Sequence, residues 1–431
     1  MSPATRRLAA FLGAGFCGGT ALLLALGAPW QETAILPAAW FATGRQASDS
    51  WTSLDVGQAY FHGPPRERSL YEATFFSRRL EHKGFQYPPT ALLVMDGAEA
   101  LFGSTRRFLE IVTWLWVPAT ALLVAALDRR LGASVDGGSR AESAARAALA
   151  VFATLTFYPF MRAYANGQVQ TWINGLFAAA VLAWVCGRAA VAGALVALMT
   201  AFKPQAAVLL LWALVRGQWR FVAGFAAVSV PILLGSIAAY GFAPHVEYLR
   251  VLAFLGRRGE AFFPNQSVNG LLNRLLGNGG NLDFYRSDAS LWLEHFPPYD
   301  ARVHVGTMVT SLALLAAALW PPRHREGRGS TADFCMAALA ATMASPIAWE
   351  HHYGVLLPIF VMLLHALSGS PGALRALAAA WLVASHPWWV TRALAGTPAN
   401  VLQSYLLFAG LATLGLLHLA RENARRPLVA G

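Results

Sequence analysis

Charge is what this sequence has least of. Only 13% of its 431 residues are Asp, Glu, Lys or Arg, about half the share of an ordinary soluble domain. Such a chain cannot clothe a water-facing surface in polar side chains, so a soluble globule is excluded and a bilayer is the natural solvent. Acid is scarcer than base: 22 Asp and Glu against 33 Lys and Arg give a net charge of +11. That surplus raises nucleic acid as a partner. The basic residues, however, fall in short clusters between apolar runs, which is the pattern of membrane topology and anionic-lipid contact. No nucleic-acid partner is expected. Cysteine is nearly missing. Cys17, Cys186 and Cys335 are far apart, in or beside apolar segments, and read as small core residues. No CxxC or His–Cys spacing marks a metal site. Walker, Rossmann, GxSxG and HExxH patterns are absent as well.

What the sequence has is apolar length: 56% hydrophobic residues and a mean hydropathy of +0.45. About 20 apolar residues cross a bilayer core, fewer where neighbours shield them. Twelve segments qualify: 8–29, 108–127, 145–161, 168–187, 189–202, 205–216, 219–240, 304–320, 331–347, 353–368, 374–390 and 400–420. The first, after Arg6 and Arg7, is too long for a signal peptide and lacks a small-x-small cleavage site before Trp30, so it reads as a retained span. The stretch 88–103 opens with Pro88-Pro89 and carries Asp96 and Glu99; it reads as a segment that enters and returns, and counting it as a span gives thirteen. The expectation is an all-α polytopic membrane protein, one unit over 1–431, with about 12 (11–13) transmembrane helices.

Twelve spans place Arg129/Arg130, Arg188, Arg216/Arg220, Arg323/Arg325/Arg328, Arg375, the basic tail 421–431 and both termini in the cytoplasm. Loop 30–87, the loop 162–167, the turn 203–205, the large loop 241–303, and 348–352 and 391–399 then lie outside, and they hold the residues capable of chemistry. Loop 30–87 is too long for a simple connector. Within it, 66–83 puts Leu70, Ala73, Phe76 and Leu80 on one face, which predicts a juxtamembrane helix lying in the interface. Trp51, Tyr60, Trp349, Tyr353, Trp388 and Trp389 read either as an interfacial belt or as platforms for a sugar ring.

Among polar residues, Asp55 is either a solvated loop carboxylate or a general base for a hydroxyl group. Asp49 is its local rival, in a Ser-rich stretch. Asn166-Gly167-Gln168, with Asn174 beyond, offers either helix-capping amides or a ligand site. Lys203 interrupts the apolar run ALMTAFKPQAAVLLLW; it either snorkels to the interface or acts on a ligand, because lysine inside a membrane segment is costly. His351-His352 suggest phosphate or proton handling rather than a metal, since neighbours on a helix point about 100° apart.

In chain order, Asp55–Tyr60, Leu70-Tyr71, Tyr87-Pro88-Pro89, Gly167-Gln168, Lys203-Pro204, Asn265-Gln266-Ser267, and Ser345-Pro346 followed by Trp349-Glu350-His351-His352 resemble the glycosyltransferase 87 (DUF2029) family. These are bacterial GT-C enzymes related to polyprenyl-phosphate-mannose-dependent mannosyltransferases. The resemblance covers nearly the whole chain. It departs at Val94-Met95-Asp96, where the family's pattern usually carries a proline. It implies a GT-C-type bundle in the bacterial plasma membrane with an extracytoplasmic active site and Asp55 as catalytic base. Tyr87, Gln168, Lys203, His351, His352 and Arg392 would line the donor phosphate site, and Tyr60, Asn265 and Gln266 the acceptor side. The donor would be a polyprenyl-phosphate sugar, mannose first among the options, and the acceptor a lipid or glycan, with no cofactor. A secondary transporter or flippase is the alternative. It should show midplane charges and an internal repeat, whereas here the polar groups gather at one face.

Overall fold

A computed structural model describes residues 3–44, 46–64, 67–79, 84–103, 105–132, 139–283 and 290–423. The described chain is helical, with two isolated bridges, Arg79 to Leu291 and Asn265 to Trp349. Each of the twelve expected segments contains a helix. Their lengths differ, and the count of twelve crossings does not follow. Five described helices are long and apolar enough to cross: Thr5–Ala25, Arg106–Gly132, Trp219–Tyr240, Ala301–Leu319 and Pro398–Glu422. Helices Arg140–Thr156 and Tyr158–Ala165 make a sixth candidate if their 59° bend is one broken span. The bend falls at extended Phe157, just ahead of Pro159.

The shorter helices, Gln170–Val185, Ala189–Phe202, Pro204–Val215, Thr331–Met343 and Pro371–Ala384, rise about 18–24 Å at 1.5 Å per residue, less than the roughly 30 Å hydrocarbon core. Of these, Gln170–Val185 and Thr331–Met343 are mostly buried, and the others pack one face inward. Thr331–Met343 is buried on every side, whereas Trp219–Tyr240 and Ala301–Leu319 leave most of their apolar surface exposed. Short helices with broken ends are tolerated at such depth because protein, not lipid, surrounds their free backbone groups. Close packing fixes them. Gly193 and Gly224 let helices Ala189–Phe202 and Trp219–Tyr240 touch: a Cβ on either would lie about 2 Å from the Phe221 or Ala190 carbonyl oxygen.

The segment 88–103 becomes the 11-residue helix Leu92–Phe102, too short to cross, ended by Gly103 with φ 65°, which counts against a thirteenth span. Two other expectations are corrected. The expected amphipathic helix 66–83 lies partly outside the described residues; its described part is a single wide turn, Glu72–Phe76, with Leu70, Tyr71 and Phe75 buried. The aromatic belt is largely interior, because Trp51 and Tyr353 are fully enclosed. Cys335 is buried, as expected for a small core residue, but Cys17 and Cys186 are exposed.

Candidate active site

The site is assembled from breaks in helices. Gly167 stands in the left-handed region (φ 62°), and a Cβ there would collide with the Ala47 carbonyl oxygen. Only glycine lets the two strands of backbone close: Ala47 N–H donates to Ala165 O (2.8 Å), Asp49 N–H to Asn166 O (3.0 Å) and Ser50 N–H to Gly167 O (3.1 Å). This docking pins the start of helix Asp49–His62 against the Asn166-Gly167-Gln168 turn. Side chains then interlock. Gln168 Nε2 donates to Asp49 Oδ2, Ser50 Oγ donates to Gln168 Oε1 (2.7 Å), and Ser50 Oγ shares a 2.6 Å hydrogen bond with the Tyr87 hydroxyl. Tyr71, from the expected Leu-Tyr element, donates its hydroxyl to the Tyr87 carbonyl (2.7 Å).

Across from this frame, helix Ala189–Phe202 stops at Lys203. Because Pro204 follows, Lys203 is held extended (φ −135°, ψ 99°), and the chain restarts as Pro204–Ala207. Lys203 Nζ meets His352 Nε2. His352 Nδ1 faces the Trp349 carbonyl at 3.2 Å; a carbonyl only accepts, so Nδ1 carries the hydrogen and Nε2 receives from the ammonium. The His351 ring stacks on His352 at 4.6 Å, and Asn174 Nδ2 donates to the His351 carbonyl (3.2 Å).

Both groups line one cavity of about 740 Å³, whose polar walls include Asp49, Gln86, Tyr87, Gln168, Lys203, Gln205, Asp283, His351 and His352. Glu260 and Trp349 close it, with Trp349 Nε1 donating to the Glu260 carboxylate. An apolar arm runs between Leu252, Leu255, Leu315, Val208 and Ala341. Leu315 lies fourteen residues into helix Ala301–Leu319, about 20 Å from the start of that span.

Burial sets the charge state. It lowers the Lys203 ammonium to about 7 and, with Lys203 nearby, drives His351 and His352 well below their ordinary value. It raises Glu260 to about 7, the Trp349 N–H partly offsetting this. Near neutral pH the basic groups of the cavity therefore carry little positive charge, and an entering anion favours their protonation.

Of the ten expected site residues, Tyr87, Gln168, Lys203, His351 and His352 come together. Asp55 does not. It sits half-buried on the outer side of helix Asp49–His62, its carboxyl raised by desolvation against the pull of Arg106; Asp49 and Ser53 line the cavity in its stead. Tyr60 is spent on the Arg68 carbonyl (2.9 Å). Asn265 and Gln266 are wholly enclosed and brace backbone: Asn265 Nδ2 donates to Glu260 O (2.9 Å) and Pro346 O (3.1 Å), Gln266 Nε2 to Phe263 O and Gln403 O (2.8 Å each). Arg392 lies over the rings of Phe263 and Trp389 and is not among the cavity walls. Glu260 was missed in the sequence; its one signal is an acid set alone between Gly259 and the apolar Ala261-Phe262-Phe263.

The model of glycosyltransferase family 87 matches residues 85–346. A polyprenol-phosphate-mannose-dependent alpha-(1-2)-phosphatidylinositol pentamannoside mannosyltransferase of Mycolicibacterium smegmatis is 28% identical over 365 residues, which cover 79% of this chain and 78% of that protein. No solved structure matches.

Proposed function

The chain belongs to glycosyltransferase family 87 and is a membrane glycosyltransferase; from that premise we propose that it moves mannose from a polyprenyl-phosphate donor to a lipid or glycan hydroxyl outside the cytoplasm, with inversion and with Asp49 as general base. The observation that carries this reading is the cavity itself. One end holds a carboxylate fixed by Gln168, the facing wall holds the Lys203–His352 pair, and an apolar arm leads away along a span. A polyprenyl chain fits such an arm, so the donor arrives from the bilayer.

In this mechanism the Asp49 carboxylate takes the proton of the acceptor hydroxyl as its oxygen attacks C1 of the sugar. The C1–O bond to phosphate breaks, and polyprenyl phosphate leaves with the electron pair. Lys203 gains a proton as the phosphate settles beside it and donates hydrogen bonds to the departing oxygens; His352, sharing its ring nitrogen with Lys203, either orients that ammonium or takes up a proton itself. The cationic elements and the donor of the relative support polyprenyl-phosphate mannose; the extracytoplasmic side rests on the clustering of arginines at the opposite helix ends.

The test is transfer from radiolabelled polyprenyl-phosphate mannose by the purified protein in nanodiscs, offered a panel of lipid and glycan acceptors. Mannosyl product from wild type, lost in Asp49→Asn, is the expected result. Turnover of another polyprenyl-phosphate sugar in place of mannose would correct the donor. Full activity in Asp49→Asn together with loss in Asp55→Asn would return the base to Asp55.

A further inference from the structure

A second concavity shares a wall with the cavity but does not belong to it. It is an open groove of about 620 Å³ walled by Arg250, Arg257, Arg258 and His304, with Phe76 and Tyr299 among its aromatic lining. Its position follows from the chain. The span Trp219–Tyr240 ends, and helix Ala243–Arg258 begins after Gly241-Phe242. Tyr299 and His304 stand where the span Ala301–Leu319 starts. The groove therefore lies where one span ends and another begins, at a membrane boundary.

Helix Ala243–Arg258 divides its surface three ways. Tyr248, Leu255 and Gly256 face the cavity. Val246 and Leu249 are exposed apolar residues, Leu249 at 61%. Arg250, Arg257 and Arg258 face the groove. Exposed leucine beside arginine is the surface of a helix resting at headgroup depth. The arginines differ in their partners. Arg250 is loosely shared between Glu72 (3.7 Å) and Glu247 (3.8 Å). Arg258 lies over the Phe254 ring at 5.0 Å. Neither Arg257 nor Arg258 has a carboxylate within ion-pair distance among the described residues. Their place in the helix's last turn favours positive charge, but it does not account for a concave site closed by His304 from another helix.

We propose that this groove binds the phosphate of an anionic glycerophospholipid headgroup, with Arg257 and Arg258 as its principal ligands. The guanidinium fork matches phosphate oxygens two at a time, and Val246 and Leu249 lie alongside where acyl chains would run. A lipid so held fixes helix Ala243–Arg258 at the interface, and that helix is also a wall of the cavity. The inference is independent of the donor sugar and of the catalytic base.

Native mass spectrometry of the full-length protein, released from a neutral detergent, tests it. The probes are phosphatidylglycerol and a glucosyl diacylglycerol, which lacks phosphate. Wild type should retain phosphatidylglycerol at least tenfold better. The variant Arg257→Ser/Arg258→Ser should bring the two lipids to equal retention, and Arg257→Lys/Arg258→Lys, which keeps charge but not the fork, should lose two- to threefold. A charge-matched control at the other helix ends, Arg323→Ser/Arg325→Ser, should retain phosphatidylglycerol as wild type does. Equal retention of the two lipids by wild type overturns the proposal. So does equal loss in the control variant, which would assign the effect to net charge, or displacement of the lipid by millimolar inorganic phosphate. If the serine variant does not fold, the lysine variant decides: retention equal to wild type refutes the arginine fork.

Discussion

The two ends of the shorter helices treat buried charge in opposite ways. At the end away from the cavity, charge is saturated. Asp333 accepts from Arg216 Nε (2.7 Å), Trp212 Nε1 (2.9 Å), the Gly329 N–H (3.1 Å) and Arg421 (3.3 Å). Asp128 is likewise held by Arg146 Nε (2.8 Å) and His365 Nε2 (2.8 Å). At the cavity end, the Lys203 ammonium meets a neutral imidazole, and the Glu260 carboxylate meets an indole N–H. The same helices connect these ends: Thr331–Met343 begins beside Asp333 and finishes at the cavity wall, and Pro204–Val215 runs from Lys203 to Arg216. A complete ion cluster fixes helix ends; an incomplete one leaves charge to be supplied by a ligand. The first is structure and the second is a site.

Substitutions can break this contrast. The largest effect should come from Asp49→Asn, which keeps the Gln168 contact but removes basicity, lowering turnover by about 10²–10⁴ with donor binding intact. Asp55→Asn should stay within a few-fold. Steady-state transfer assays on both variants, with donor KM separated from kcat, decide between them. Next is Asp333→Ala. It strands Arg216 and Arg421 without their carboxylate, so stability should fall by about 3–5 kcal/mol. Thermal unfolding of the solubilised protein should report that loss, with the cavity chemistry of surviving folded molecules unchanged. Third is Lys203→Ala, which removes the cation for the leaving phosphate; kcat/KM should fall about 10²–10³ while the unfolding temperature holds or rises, because no ion pair is broken. If Lys203→Ala behaves like Asp333→Ala, the contrast between the ends fails.

How much of this was legible in the sequence depends on what each residue's signal rests on. The helices were, because apolar runs and their basic flanks are local. Lys203 was, because a lysine in an apolar run has few bland explanations, and the proline after it marks the break. Asp55 and Asp49 part through helical phase, which sequence spacing alone did not resolve. The helix begins at Asp49, so the residue sharing its face is Ser53, one turn on, while Asp55 at about 240° points elsewhere. The family match could not correct it, because it starts at residue 85; Asp49 rests on geometry. Asn265 and Gln266 looked like ligand amides because nothing local reveals that their partners are the carbonyls of Pro346 and Gln403. Glu260 escaped because its meaning depends on Trp349, 89 residues away.

The smallest effect sharpens the comparison most, since it tests whether the cavity's charge is really supplied by the ligand. Lys203 is lowered from 10.5 to about 7, so in the free enzyme it is charged below that pH and neutral above it. Burial and the neighbouring Lys203 disfavour the charged form of His351 and His352 in the free enzyme. A donor phosphate placed beside Lys203 raises its affinity for a proton, so binding takes up a proton above pH 7. Donor KM should thus be flat from pH 6 to 7 and then rise, by at most about tenfold per pH unit, until the bound form also deprotonates. Glu260, raised to about 7, gains negative charge over the same range and steepens the rise. Lys203→Arg keeps its charge at every working pH and should leave only the Glu260 share; Glu260→Gln should leave only the Lys203 share. A wild-type donor KM that stays level from pH 6 to 9 would mean that the phosphate does not rely on Lys203, and the cavity end would then be as self-contained as the other.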